Sequence, residues 1–250
     1  NHLQILRPLL NFRKERLVAT CKRFKVNWIN DPSNKDERYE RTRIRNKLKN
    51  YDIRKLKDLS NELKKIILKN SKTEKKICEF ISKSVRFYDY GLFEIKKKNI
   101  LNLSNDISVE IFKKLLTTCS GKVFPPRKKS ILIFLKKFEK RRSFVHTLHS
   151  CYMSSDKRTL RIYREPSKTR KNIINKIFVK KGEKMIWDER FKIYSKKNDL
   201  ICDVITEKNW LEIKKKYNKE KYHKFSFSII KTLPIISIGK EKIIPFLSIN

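Results

Sequence analysis

The spacing of apolar residues changes along the chain, and that change constrains the fold most. Through the first 140 residues it is mainly helical, whereas from Thr147 every second position becomes apolar. The fold expected is therefore α+β. Helical stripes appear as Leu17, Val18, Cys21 and Phe24, then as Leu56, Leu59, Leu63, Ile66 and Ile67, and again as Ile77, Phe80, Ile81 and Phe87. The last two read as a helical hairpin joined around Ser71–Thr73. Core packing is the plain explanation for both. Further helices are expected from Ser108 to Thr118, closed by Gly121, and after Pro125–Pro126 with Ile131, Leu132 and Leu135 on one face.

Strands are expected at Gln4–Arg7, Leu92–Ile95, Ile100–Leu103, Thr147–Met153 and Thr159–Arg164. Residues 167–176, rich in lysine and asparagine, look like a linker. A small tail follows, with strands Lys184–Trp187 and Arg190–Tyr194 around Asp188–Glu189. A helix carrying Trp210, Ile213 and Tyr217 comes next, and the final strands turn at Gly239–Lys240. In the first hairpin a two-residue turn would set Trp187 opposite Arg190, with Trp187 in the tail core. Asp188 and Arg190 would then pair, worth at most about 1 kcal/mol if exposed.

Charge narrows the partners. The 64 lysines and arginines face 26 acidic residues, a formal net charge of +38. Such an excess repels itself unless a polyanion neutralises it, and nucleic acid is expected ahead of a membrane surface. Part of the lysine excess is what A+T-rich coding produces. No run of about twenty apolar residues is present to span a bilayer. The five cysteines are dispersed, with no C-x-x-C pair, so they read as buried thiols of a reducing cytoplasm and not as zinc ligands. The four histidines have no metal-binding spacing. Gly91, Gly121, Gly182 and Gly239 stand far apart, so no glycine-rich phosphate loop is encoded in these residues.

The densest chemistry lies at Asp31-Pro32-Ser33-Asn34, followed by Arg41-x-Arg43-Ile44-Arg45. Pro32 breaks regular structure, and Asp31 and Asn34 can accept backbone N–H groups at the entry to a helix. Asp36 and Glu37 would sit in its first turn. Arg41 and Arg45 share one helical face, while Arg43 points about 160° away. Guanidinium groups grip phosphate in two-point contacts that lysine cannot make. Arginine in so lysine-rich a chain therefore marks a site, set against a merely solvated basic face.

These blocks carry a family resemblance. Leu6-Arg7-Pro8-Leu9-Leu10, then Trp28-x-x-Asp31-Pro32-Ser33-Asn34, then Arg41-x-Arg43-Ile44-Arg45 resemble the second half of the catalytic domain of bacterial tRNA(Ile)-lysidine synthetases. Phe124-Pro125-Pro126-Arg127, Thr147-Leu148-x-x-Cys151, Arg164-Glu165-Pro166, Trp187-Asp188-x-Arg190-Phe191 and Leu233-Pro234 follow in the family's order. The first blocks are specific; the later ones are individually weak.

The resemblance implies the end of an α/β ATP-pyrophosphatase (PP-loop) domain at residues 1–50. A mostly helical domain with a terminal strand pair would cover 51–168, and a small α/β tRNA-binding domain 169–250. It implies ATP-dependent ligation of L-lysine to C2 of the wobble cytidine of tRNA(Ile) with the CAU anticodon. An adenylated intermediate forms with magnesium, and codon and amino-acid specificity change from methionine to isoleucine. Asp31, Asn34, Arg41, Arg43, Arg45, Arg164 and Arg190 are the expected tRNA-binding residues, and a homodimer is allowed. The family's Ser-Gly-Gly-x-Asp-Ser type ATP loop is missing, so the chain is expected to be the C-terminal part of a longer protein, inactive alone. Two other readings stand beside this one. A non-catalytic basic RNA-binding protein needs only the charge. A tRNA-thiolating enzyme of the same fold is disfavoured by the lack of paired cysteines.

Overall fold

The computed structural model describes residues 6–29, 31–49, 52–217, 226–239 and 241–247. The chain divides into two compact units, Asn1–Ile67 and Leu68–Asn250. In the first, a 3-10 turn at Pro8–Asn11 precedes helix α1 (Lys14–Arg23), and a second at Pro32–Lys35 precedes α2 (Glu40–Lys49). Thr42 is its one buried side chain among the described residues. The expected strand Gln4–Arg7 is not formed at Leu6 and Arg7, and its first two residues lie outside the described ones. Asp36 and Glu37 precede α2, whose first turn carries Glu40.

Helix α3 runs without a break from Ile53 to Ser84, so the hairpin expected at Ser71–Thr73 is absent. Nothing at that point breaks a helix: no Gly or Pro is present, and the Thr73 hydroxyl folds back onto the Lys69 carbonyl at 3.0 Å. The boundary between the two compact units falls inside this helix.

The second unit is built on a five-stranded antiparallel sheet in the order β1-β2-β5-β4-β3. Its strands are β1 (Val85–Tyr88), β2 (Leu92–Lys96), β3 (Phe144–Leu148), β4 (Cys151–Ser155) and β5 (Thr159–Arg164). Residues 85–88, at the end of the helical stripe, have become strand, and the expected strand Ile100–Leu103 begins instead in a short helix, α4 (Lys97–Leu101). The expected strand Thr147–Met153 is two strands. They reverse at His149–Ser150, both with positive φ, in the two-residue turn that matches strand twist. Five strands lie between Val85 and Arg164, together with helices over 97–101, 105–120 and 128–140.

Alternation puts Met153, Leu160, Ile162 and Cys151 on one face, with Phe93 and Ile95 registered beside Ile162 and Leu160. Helices α5 (Asn105–Ser120) and α6 (Lys128–Lys140) pack there. α5 contributes Val109, Phe112, Leu116 and Cys119, and α6 contributes Ile131, Phe134 and Phe138, each set at spacings of three and four. Gly121 ends α5 in the left-handed conformation, as its position predicts.

Residues 167–176 are not a linker. Pro166–Asn172 forms α7, with Thr169 fully buried. The tail sheet has the order β11-β10-β9-β6, from β6 (Ile177–Val179), β9 (Leu200–Val204), β10 (Pro234–Ile238) and β11 (Glu241–Ile243). A hairpin of β7 (Lys184–Trp187) and β8 (Phe191–Tyr194) joins it, with helices α8 (Glu207–Tyr217) and α9 (Phe227–Ile230). Trp187 is fully buried in the core with Val179, Ile193 and Cys202. The last strands do turn at Gly239.

Candidate nucleic-acid interface

The first candidate site is built by a proline and the turn around it. Asp31 caps the 3-10 turn: its Oδ1 accepts the Ser33 N–H at 2.9 Å, and its carbonyl accepts the Asn34 backbone and side-chain N–H groups at 3.1 and 3.2 Å. That Ser33 bond, helped by the positive charge of Arg41, holds the Asp31 carboxyl below the usual carboxylate range. Asp36 is similarly occupied, clasping the Arg38 guanidinium at 2.8 Å, and Glu37 accepts from Asn46 at 2.9 Å.

The local acids are thus engaged before α2 begins. Arg41, Arg43 and Arg45 are exposed along that helix, and no carboxylate lies within ion-pair distance of them among the described residues. Arg41 lies over the Tyr39 ring at 5.4 Å. This arrangement can hold phosphate oxygens; it offers no nucleophile or general base.

Arg164 and Arg190 are placed otherwise. Arg164 is 2% exposed, standing on the core face of β5 in line with Leu160 and Ile162. Its Nε and Nη2 donate to the two oxygens of Asp188 at 3.1 and 2.8 Å, and its Nη1 to the Ser120 carbonyl at 2.8 Å. Thr169 and Asn172 also donate to Asp188, at 2.7 and 2.8 Å. Arg190 approaches the same carboxylate at 3.1 Å and donates to the Thr232 carbonyl at 2.6 Å. Burial pulls the Arg190 guanidinium below its ordinary value, with Asp188 opposing that shift.

Both guanidinium groups, expected to face tRNA, are engaged inside the protein in this structure. The pairing of Asp188 with Arg190 is present but buried, so the exposed-pair value does not apply to it. The turn also differs by one residue. Trp187 registers with Phe191, and Asp188-Glu189-Arg190 form the loop, with positive φ at the first two. Gly121 lets this loop approach, because a Cβ there would lie 2.6 Å from the Glu189 carbonyl oxygen. Sequence reasoning missed Thr169 and Asn172, whose residue types suit a linker as well as a helix. Arg164-Glu165-Pro166 was the available signal.

Cys119 and Cys151 are buried side by side, and the neighbouring thiol together with burial raises Cys151. No cluster of three His, Cys, Asp or Glu suited to a metal occurs among the described residues. No helix among them is long and apolar enough to cross a membrane.

A family model described as PP-loop domain matches residues 1–51. The chain is 32% identical to the tRNA(Ile)-lysidine synthase of Rickettsia felis over 99% of its own length and 59% of that protein. Those of Rickettsia typhi and Rickettsia prowazekii are 32% and 31% identical over the same shares. The chain thus spans about three fifths of the length of these curated relatives. Along nearly all of its length the chain is similar to tRNA(Ile)-lysidine synthases, and its N-terminal end is similar to a PP-loop domain.

Proposed function

We propose that the chain belongs to an enzyme of tRNA modification that ligates L-lysine to C2 of the wobble cytidine of tRNA(Ile) with the CAU anticodon. The reaction uses ATP, passes through an adenylated intermediate, and turns a methionine anticodon into an isoleucine one. Similarity to proteins named tRNA(Ile)-lysidine synthase along 99% of the chain carries this reading. The exposed arginines of α2 support it, because a ligase acting on an anticodon must first hold the backbone phosphates still.

Arg41 and Arg45 place the substrate, and Arg43 reaches a neighbouring phosphate from the other side of the helix. Asp31 and Asn34 fix the turn that presents this helix, and so act as positioning residues. The residues present do not fit ATP with magnesium. Each of the four glycines stands alone in a turn or cap, and none belongs to a phosphate-cradling run. The ATP chemistry is therefore assigned to the complete enzyme, and no step of it is derived from these side chains.

The test joins a family ATP-loop segment ahead of Asn1 and follows single-turnover formation of lysidine on a tRNA(Ile) transcript. Replacing Arg41 and Arg45 together by Ala is expected to reduce the rate about a hundredfold, as loss of positioning does. The pair Lys136→Ala and Lys137→Ala is expected to reduce it only severalfold. Equal losses would remove the arginine face as a site. tRNA binding without any lysidine would favour the non-catalytic RNA-binding reading.

A further inference from the structure

The second unit carries a basic cleft that the arginines of α2 do not explain. Two runs of positive charge, Lys96-Lys97-Lys98 and Lys157-Arg158, lie about sixty positions apart in sequence. The sheet brings them together: Lys96 registers with Thr159 at the end of the β2–β5 pair, and the Lys97 N–H donates to the Arg158 carbonyl at 2.7 Å. The result is a cleft of about 620 Å³ walled by these five residues with Leu101 and Thr159. A second hollow of about 480 Å³ shares Lys96 and Thr159 and adds Lys83 and Arg86.

The acids nearby are already engaged, although Glu94 also lines the second hollow. Asp156 is taken up by the Arg158 and Thr159 N–H groups, both at 2.7 Å, and by Arg161 at 3.0 Å. Glu94 accepts from Arg161 at 2.8 Å and from the Tyr88 hydroxyl at 2.7 Å. Lys97 is pinned by its bond to the Arg141 carbonyl and by the Phe138 ring at 4.9 Å. Lys96, Lys98, Lys157 and Arg158 are exposed, with no carboxylate within ion-pair distance among the described residues. Four unpaired cations at one corner repel one another, and the fold keeps them there.

We infer that this cleft is a docking surface for the sugar-phosphate backbone of RNA. A chain of phosphates supplies several negative charges along a narrow path and can enter a hollow, whereas a bilayer presents a broad surface that meets flat or convex faces. A protein partner would call for an apolar centre, and Leu101 is the one large apolar side chain exposed in the wall. Each lysine that meets a phosphate releases condensed counterions, so affinity must fall with salt in proportion to the contacts made. The inference rests on the tRNA reading above and goes beyond it by naming a surface in the other unit.

The experiment measures binding of the full chain to a labelled tRNA(Ile) transcript by fluorescence anisotropy across a salt series. The variant K96Q/K98Q/K157Q/R158Q is compared with K180Q/K181Q/K196Q/K197Q, which removes the same charge from exposed positions elsewhere in that unit. Circular dichroism checks that both fold. The cleft variant is expected to bind at least about tenfold more weakly than the control, and its slope of log affinity against log salt to fall by about 3. Equal losses in the two variants would reduce the cleft to diffuse attraction and overturn the proposal. Loss of binding to phosphatidylserine vesicles with tRNA binding intact would overturn it in favour of a lipid surface. A cleft variant that binds like wild type overturns the cleft and leaves the tRNA reading standing; a wild-type chain that does not bind tRNA removes both.

Discussion

Asp188 holds together more of the second unit than any other carboxylate described. Four side chains from β5, α7 and the β7–β8 loop donate to its two oxygens, and its own side chain is 0% exposed. Removing it leaves Arg164 and Arg190 buried against each other with no counter-charge, so Asp188→Ala is expected to cost about 3–5 kcal/mol. Arg190→Ala should cost less, about 1.5–3 kcal/mol, since Asp188 keeps Arg164, Thr169 and Asn172 while Thr232 loses a charged donor. Chemical denaturation of the two variants checks the order, and equal stabilities would mean the carboxylate is not the centre of the network. The sequence suggested a pair between Asp188 and Arg190 but not its burial. Nothing local to Asp188 reveals that Arg164 and Thr169 close over it, because those partners come from 24 and 19 positions upstream.

Histidine supplies the pH response at the same scale. Burial, with Lys137 near His146 and Lys122 near His149, lowers both imidazoles below the ordinary value of 6.5. The folded state therefore binds fewer protons than the unfolded state just below that value. The stability these two groups lend is complete above 6.5 and is lost as pH falls through 6.5 toward the depressed folded values. Tm is expected to be lower at about pH 5.5 than at about pH 7.5, and H146Q/H149N to flatten the difference. An unchanged pH dependence in that variant would place the titrating groups elsewhere. His149 is replaced by Asn because its φ of 53° lies where Asn is tolerated.

Elements were legible in the sequence where one period ran long, and illegible where a short segment borrowed its conformation from a neighbour. α5, α6, β5 and the Gly239 turn follow from pattern alone, as does the turn at Asp31. The reversal at His149–Ser150 carries no glycine to announce it, and α7 is held by Thr169 and Asn172 bonding to Asp188, a partner outside its own stretch. The β7–β8 hairpin shows both sides. Its aromatic core residue was readable, while its register was not, since a third loop residue shifts Trp187 to face Phe191. Trp187 is fully buried, with its Nε1 donating to the Thr232 carbonyl at 3.3 Å. Trp187→Ala is expected to cost about 3–5 kcal/mol through the cavity it leaves. A variant with wild-type Tm would show that this ring does not nucleate the tail core.

Over the whole chain the apolar core is distributed very unequally, and the three tryptophans report on it. Trp187 and Trp210 lie in the second unit at 0% and 5% exposure, whereas Trp28 in the first is 44% exposed. Around Trp28 the large apolar side chains Phe24, Val26 and Ile29 are also exposed, at 70%, 54% and 95%. Burial of that kind of surface is what makes unfolding cooperative, so the second unit must supply the cooperative transition of this chain. Fluorescence can separate the two environments. Acrylamide is expected to quench one fraction of the native emission readily and to leave the larger, blue-shifted fraction protected. Trp28→Phe should abolish the accessible fraction without moving the denaturation midpoint, because its ring contributes little buried area. Trp210→Phe should leave the accessible fraction intact and lower the midpoint, since that ring packs with Ile213, Leu233 and Phe227 in the tail core. If Trp28→Phe moved the midpoint as far as Trp210→Phe, the region around Trp28 would have a core of its own, and the uneven distribution argued from exposure would be wrong.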